Sequence, residues 1–252
     1  GSEMCIRDRS GSVKEQGEVR SLVAEELGLK DTDIYGMDLF LYNRMGAVRW
    51  GSNREFIGCP RLDDLQCAFS SMEGNREESI SVHCVLDNEE VGSGTKQGAA
   101  STFLKDTLLR INTGLGRTYE EYLMTLAGSF MVSADNAHAL HPNYADKTDP
   151  VNHPVLNKGI VIKYNANQKY CTDAVSAAEF IELCAKADVP YQTFVNRSDI
   201  AGGSTLGNIS NTQVAMNTVD IGLPQLAMHS PYETAGVKDT EYLIRVAGEL
   251  FA

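Results

Sequence analysis

The chain has 252 residues, of which 42% are hydrophobic and 22% charged, and its formal net charge is -12. This suits one large or two small domains of an ordinary soluble globular protein, and so acidic a balance argues against a nucleic-acid or anionic-membrane surface. No apolar run approaches a membrane span, no signal peptide is visible, and a soluble protein of the cytoplasm is the expected class.

Residues 1–12 (GSEMCIRDRSGS) lack periodicity and read as a disordered tag or scar, leaving 13–252 as the folded part. Val19, Leu22, Val23 and Leu27 share a helical face that Gly28 stops. Asp38–Tyr42 and Ala47–Trp50 read as short strands around a turn. Pro60 then opens a helix whose buried face would be Leu62, Leu65, Phe69 and Met72, with Asp63 in the first turn. Ile80, Val82, Cys84 and Leu86 alternate with the residues between them, the period of a strand, before LDNEEVGS and a glycine-rich turn. If that strand continued, Glu89 and Glu90 would face opposite sides.

Two helices follow, one carrying Phe103, Leu104, Leu108 and Ile111, the other Tyr119, Tyr122, Leu123 and Leu126. Ser129–Ala134 is an apolar run ending at Asp135. Gly159–Tyr164 is a strand carrying one charge, Lys163, and Tyr191–Val195 is another strand. Ala174–Ala187 is a helix with Ala177, Ile181, Cys184 and Ala185 inward. Asp220–Met228 is largely apolar and ends at His229, and the last helix runs about Asp239–Leu250 with Tyr242, Leu243, Val246 and Leu250 buried. Strands alternating with helices imply an α/β layered domain with a central, mostly parallel sheet flanked by helices. Six scattered cysteines without a CxxC pair read as reduced residues, Cys67 and Cys184 on apolar helix faces.

Asp63, Glu90, Asp135 and His229 all fall at element ends. Carboxylates mixed with imidazole suit zinc, manganese or cobalt, and two divalent ions would neutralise acids that otherwise repel. Glu89 adjoins a ligand without being needed as one, which makes it the candidate base. Two loops offer rivals. Gly92–Gly98 suggests a phosphate cradle but fits no phosphate-loop spacing. Ala201–Gly207, with Gly202 and Gly203, reads as a loop whose backbone approaches a ligand or a helix start. His83 reads as structural, His153 as a loop residue, and His138 and His141 as turn caps unless they serve a site.

Together, Pro60–Leu65, Leu86–Ser93, Ser133–Tyr144, Ile162–Tyr170, Asn196–Gly207 and Gln225–Glu233 resemble, in order, the aspartyl aminopeptidase / aminopeptidase I family of zinc exopeptidases. The resemblance implies a zinc-exopeptidase fold with two metal ions and hydrolysis of the N-terminal residue of peptides, acidic favoured over neutral. Asp63 would bridge the ions, Glu90 and His229 would complete one, and Asp135 would serve the other. Glu89 would activate the bridging water, while His138, Lys163, Gly202 and Gly203 would meet substrate. Family members are longer, with an N-terminal part that supplies a further ligand histidine and an inserted assembly domain. No histidine precedes His83 here. The chain therefore reads as the C-terminal catalytic portion of a homo-oligomeric parent, inactive alone for want of a ligand. The rivals are an inert fragment or assembly subunit and, against the loop spacing, a nucleotide-binding module.

Overall fold

The structure is a computed structural model that describes residues 16–74 and 80–252. The tag reading of residues 1–12 lies outside the described residues. The chain divides into two compact units, Gly1–Arg44 and Met45–Ala252.

In the first unit α1 spans Gln16–Leu27. Gly28, at φ +66°, takes the left-handed turn that ends it. Ala24 is buried while Leu22 and Leu27 are exposed, so the inward face is narrower than its periodicity suggests. Asp38–Tyr42 forms no strand, and Phe40, Leu41 and Tyr42 stand exposed.

The second unit contains β1 (Val48–Trp50), β2 (Phe56–Cys59), α2 (Leu62–Glu73), α3 (Phe103–Gly114), α4 (Tyr119–Ala127), β3 (Phe130–Ala134), β4 (Ala137–His138), β5 (Ile160–Tyr164), α5 (Ala174–Lys186), β6 (Tyr191–Val195), α6 (Leu206–Ser210), β7 (Asn217–Gly222), β8 (Pro224–Leu226), β9 (Glu233–Gly236) and α7 (Val237–Leu250). One sheet has four strands in the order β3-β7-β5-β6, the other five in the order β1-β2-β9-β8-β4. In the first, β3 with β7 and β5 with β6 are parallel, and only β5 with β7 is antiparallel. This is the mostly parallel sheet that alternating strands and helices imply. In the second, only β4 with β8 is parallel, because β1, β2, β8 and β9 meet through hairpins or an antiparallel return.

The core lies on the four-stranded sheet. Ile160, Ile162, Val219, Ile221 and Leu223 pack with Phe180 and Cys184 of α5 and Leu243 and Val246 of α7. Every residue of β5 from Ile160 to Lys163 is buried, as expected of a strand covered on both faces.

The strand pair then crosses from one sheet to the other. Past the β3–β7 ladder, the Asp135 N–H donates to Ile221 O (3.1 Å) and the Ala137 N–H to Leu223 O (2.8 Å), which leads into β4 and β8. Asp135 and Asn136 sit at this crossing. The start of α2 lies nearby, because β2 pairs with β9 up to Cys59 opposite Glu233.

Two expectations fail around α2. The segment Ile80–Leu86 is irregular; it alternates correctly, but it pairs with none of the described strands, and a strand without a ladder has no partner for its N–H and C=O groups. In α2 itself Gln66, Cys67 and Ser70 are buried with Leu62, while Leu65, Phe69 and Met72 are about half exposed. The polar stripe faces inward because Gln66 bonds Thr240 of α7 (2.9 Å) and Ser70 bonds its own helix at Gln66 O (2.7 Å).

Candidate metal centre and cleft

Asp63 stands where α2 begins. Arg61 takes a left-handed conformation, and Asp63 and Asp64 leave helical backbone angles at ψ 113° and 22°. The two acids part company there: Asp63 lines one cleft, and Asp64 lies against the apolar groove beside α3 and α4.

Glu89 and Glu90 occupy a single 3-10 turn, Glu89–Val91, between left-handed Asn88 and Gly92. The expected strand end is therefore a tight turn. Asn88 O accepts from the Ser93 N–H (2.8 Å) and closes it. Glu89 and Glu90 both line the cleft, rather than pointing to opposite sides as strand residues would. His229 comes from the loop between β8 and β9 and is itself left-handed, at φ +65°.

These pieces converge. His229 Nε2 lies 3.1 Å from Asp63 Oδ2 and 3.0 Å from Glu90 Oε2. Asp63, Glu90 and His229 each place a ligand atom within 4.8 Å of the others, and so do Asp63, Asp64 and Asp135. Asp63 belongs to both groups. The donor set is oxygen with one imidazole nitrogen, which suits zinc and its borderline neighbours. Asp63 Oδ1 is also buried without a hydrogen-bond partner among the described residues, as a lone pair reserved for a cation would be.

The electrostatics tell the same story. Burial, then Asp135 and Glu90, pushes the Asp63 carboxyl up to about 10. Burial and Asp135 push Asp64 well above its ordinary range. Burial, Asp135 and Glu90 raise Glu89 to about 7. So many acids in one place favour either protons or divalent ions.

One cation is already present. Lys163 is 2% exposed; its Nζ donates to Asp135 Oδ2 (3.0 Å) and to Asn136 O (2.8 Å), and lies 5.6 Å from the Tyr170 ring centre. Burial alone would lower its pKa, but the Asp135 charge and hydrogen bond and the nearby Tyr170 carry it above the ordinary lysine value. His138 is held below its ordinary value by burial and by the charges of His229 and Lys163, which keeps the imidazole neutral near pH 7.

The cleft is about 370 Å³ and is lined by Asp63, Glu89, Glu90, Asp135, His138, Lys163, Tyr170, Ser204, Thr205 and His229, among others. Gly202 and Gly203 are not part of its lining. A Cβ on Gly202 would come within 2.4 Å of Asn196 Oδ1, and Gly203 faces open space, so this loop meets the cleft through Ser204 and Thr205. Of the other histidines, His83 meets the Ser71 hydroxyl (3.1 Å) and His141 accepts from the Asn143 N–H (3.1 Å), structural roles in both cases.

The acid that holds the centre together is one the sequence did not flag. Glu233 is 2% exposed. Its Oε2 accepts from the Asp63 N–H (3.0 Å) and its Oε1 from the His229 N–H (2.8 Å). One carboxylate thereby ties two candidate ligands that lie far apart in the chain. Asn136, 2% exposed, does similar work beneath: its amide lies 2.9 Å from Gln66, 2.6 Å from Gln225 and 3.2 Å from Asp64 Oδ1. The only local hint was a lone acid in an otherwise uncharged stretch, Glu233 in the strand ETAG.

Known proteins resemble this chain in sequence and fold. A family model, aminopeptidase I zinc metalloprotease (M18), matches residues 3–251. The "Probable M18 family aminopeptidase 2" of Clostridium novyi (strain NT) is 46% identical over 233 residues, 91% of this chain and 54% of that protein. Among solved structures, the cryo-EM structure of the Ape4 and Nbr1 complex aligns with a TM-score of 0.83 at 37% identity, covering 93% of this chain and 47% of that one. The S. cerevesiae mApe1 dodecamer aligns at 0.78 and 28% identity, covering 93% and 54%. The chain spans about half the length of the curated relatives it matches, 54% for the Clostridium novyi protein.

Proposed function

The chain belongs to the aminopeptidase I zinc metalloprotease (M18) family, and on that premise we propose that it carries the metal-binding face of an aminopeptidase acting on the N-terminal residue of peptides. The observation that carries this reading is the pair of ligand groups sharing Asp63. Asp63, Glu90 and His229 would hold one divalent ion; Asp63 and Asp135, with Asp64 in reach, would hold a second. Such ions acidify water and polarise a carbonyl. The same ligands accept manganese or cobalt in place of zinc.

The chain's own residues have distinct tasks. Glu89 opens on the cleft beside Glu90 yet belongs to neither ligand group, and it takes the proton of the attacking water as general base. His138, neutral and facing the same cleft, donates a hydrogen bond to the carbonyl oxygen as charge builds there. Lys163 has three ammonium protons, of which Asp135 and Asn136 O take two. The third is available to a substrate carboxylate, which favours an acidic first residue over a neutral one. Assembly into a homo-oligomer is part of the same reading, since a structure this chain resembles is a dodecamer. Among the described residues no helix is long and apolar enough to cross a membrane.

The test is metal analysis with hydrolysis of acidic and neutral aminoacyl substrates by the full-length protein, wild type against Asp63→Asn. Loss of both ions and of turnover is expected, because both groups share Asp63. Undiminished turnover and metal content in Asp63→Asn would overturn the reading.

A further inference from the structure

Behind the substrate side of the cleft lies a further buried carboxylate, outside both ligand groups. Asp220 is on β7 and is 1% exposed. Its Oδ2 accepts from the Cys171 N–H (2.7 Å) and from the Cys171 thiol (3.1 Å). Its Oδ1 accepts from the Thr205 hydroxyl (2.9 Å). Its own N–H donates to Thr172 Oγ1 (2.9 Å). Three donors from two distant segments thus end on one carboxylate, while the side chain itself does not line the cleft.

Both segments do line it. The first places Tyr170, whose ring stands over Lys163 and 6.4 Å from the Phe194 ring. The second supplies Ser204 and Thr205 and runs into α6. At the start of α6 the chain closes directly on the carboxylate: a Cβ on Gly207 would lie 2.3 Å from Asp220 Oδ1. Burying an ionised carboxylate is costly unless it is well bonded, and an apolar residue would fill a strand position in the core without that cost. What an apolar residue could not do is hold two polar loops by their N–H and O–H groups.

We propose that Asp220 is a positioning residue that fastens the Tyr170–Thr172 loop to the Ser204–Thr205 loop and so sets the width and shape of the substrate side of the cleft. It acts through those loops and touches neither substrate nor metal. The proposal rests on the peptidase reading for its effect on substrate, but its structural half stands apart from that reading.

The experiment compares wild type, Asp220→Asn and Thr205→Val in the full-length protein, by hydrogen exchange with mass spectrometry, metal analysis and peptidase kinetics. Asp220→Asn leaves one oxygen to accept and turns an N–H2 toward a donor. Exchange is expected to rise about tenfold in residues 166–173 and 200–207, as for loss of a bond to a charged group, and to stay unchanged in 224–236, which carries His229 and Glu233. Metal content stays at the wild-type level, and KM rises about tenfold with kcat within about threefold. Thr205→Val, which removes one bond and keeps the fold even if Asp220→Asn does not, loosens only 200–207. Exchange that rises across the whole chain, or in neither loop, overturns the proposal, as does a fall in kcat and metal content at constant KM. Should the wild type hydrolyse no peptide, the peptidase reading fails, and the exchange pattern still decides the role of Asp220.

Discussion

Phe180 and Phe69 both lie on apolar stripes of amphipathic helices, yet Phe180 is 1% exposed and Phe69 49%. The difference extends to their surroundings. Around Phe180, α5 and α7 cover the four-stranded sheet: of the residues expected inward, Ala177, Cys184, Leu243 and Val246 are buried, Ile181, Tyr242 and Leu250 are partly buried, and Ala185 is exposed. Between α2, the segment 80–86, α3 and α4 lies an apolar groove of about 380 Å³ lined by Ala68, Leu104, Leu108, Tyr122, Leu126 and Phe130, among others; it reaches inward to Phe180, whereas Phe69 stands outside its lining. Phe103 of α3, Leu123 and Met124 of α4, and Ile80 are exposed as well. Periodicity records which face of an element wants cover. Whether the cover is complete depends on what packs against it, and the described residues leave Leu65, Phe69 and Met72 about half exposed.

The candidate site draws on both regions. Asp63, Asp135 and His229 are anchored in the sheets through Glu233 and the strand crossing, whereas Glu89 and Glu90 enter from the edge of the uncovered region on one tight turn. Glu89→Gln therefore separates chemistry from scaffolding. In the full-length protein it is expected to keep the metal and lose about 10²–10⁴-fold in turnover, the usual cost of a missing general base. Loss of metal along with turnover would show instead that the turn is a structural part of the ligand set.

The second prediction sharpens the comparison itself. Phe180→Ala should cost about 3–5 kcal/mol of unfolding free energy, since it empties a buried position of the core. Phe69→Ala should stay within about 0.5 kcal/mol in this chain, as surface changes do. Denaturant midpoints of the two variants measure both. Equal costs would mean that Phe69 is covered in solution.

These two phenylalanines also show what the sequence could tell. The strands Ile160–Tyr164 and Tyr191–Val195 and the helices Ala174–Lys186 and Val237–Leu250 were legible, because their apolar patterns are satisfied by one another. The pattern of Ile80–Leu86 misled, because a strand is made by its neighbour as much as by its own residues. Asp63, Glu90, Asp135 and His229 could be named from their places at element ends and from family resemblance. Glu233, Asn136 and Asp220 could not, since their work is to receive N–H groups from segments distant in sequence, and no spacing reports that. Lys163 was read as a lone charge available to substrate; only the coordinates show that Asp135 and Asn136 engage it first.

The well-covered region holds one further acid, Asp239, with a consequence for pH. It is 0% exposed and accepts from the Asn157 N–H (2.6 Å) and the Gly159 N–H (3.1 Å). Burial raises it from 3.8 to about 7, against those two hydrogen bonds, which lower it. A raised folded-state pKa means that the folded protein holds the proton while the unfolded chain has released it. The contribution is then fully present below about pH 4 and is lost as pH climbs toward 7, by up to about 4 kcal/mol. Asp239→Asn should flatten that part of the stability profile, read from unfolding curves at several pH values. An unchanged slope would show that the two N–H bonds hold the carboxylate ionised throughout.

The smallest expected effect tests how the uncovered region stays folded. With little apolar cover, the α3–α4 pair relies on local hydrogen bonds. The Asn112 side chain donates to Thr118 O (2.9 Å) across the turn, and the Tyr122 hydroxyl donates to Lys105 O (3.3 Å). Thr118 caps α4 reciprocally: its hydroxyl accepts from the Glu121 N–H (3.3 Å), while Glu121 accepts from the Thr118 N–H (2.7 Å). α3, by contrast, starts at Thr102 without a side-chain cap bond. Removing such a cap costs about 1 kcal/mol. Because this pair is only loosely joined to the core, Thr118→Ala should appear as local opening. Amide exchange in residues 103–127 should quicken about fivefold, while the strands β5 and β7 keep their protection and the unfolding midpoint barely moves. If exchange quickens equally in β5 and β7, then α3 and α4 unfold together with the core, and the contrast between Phe180 and Phe69 is one of exposure alone and not of cooperativity.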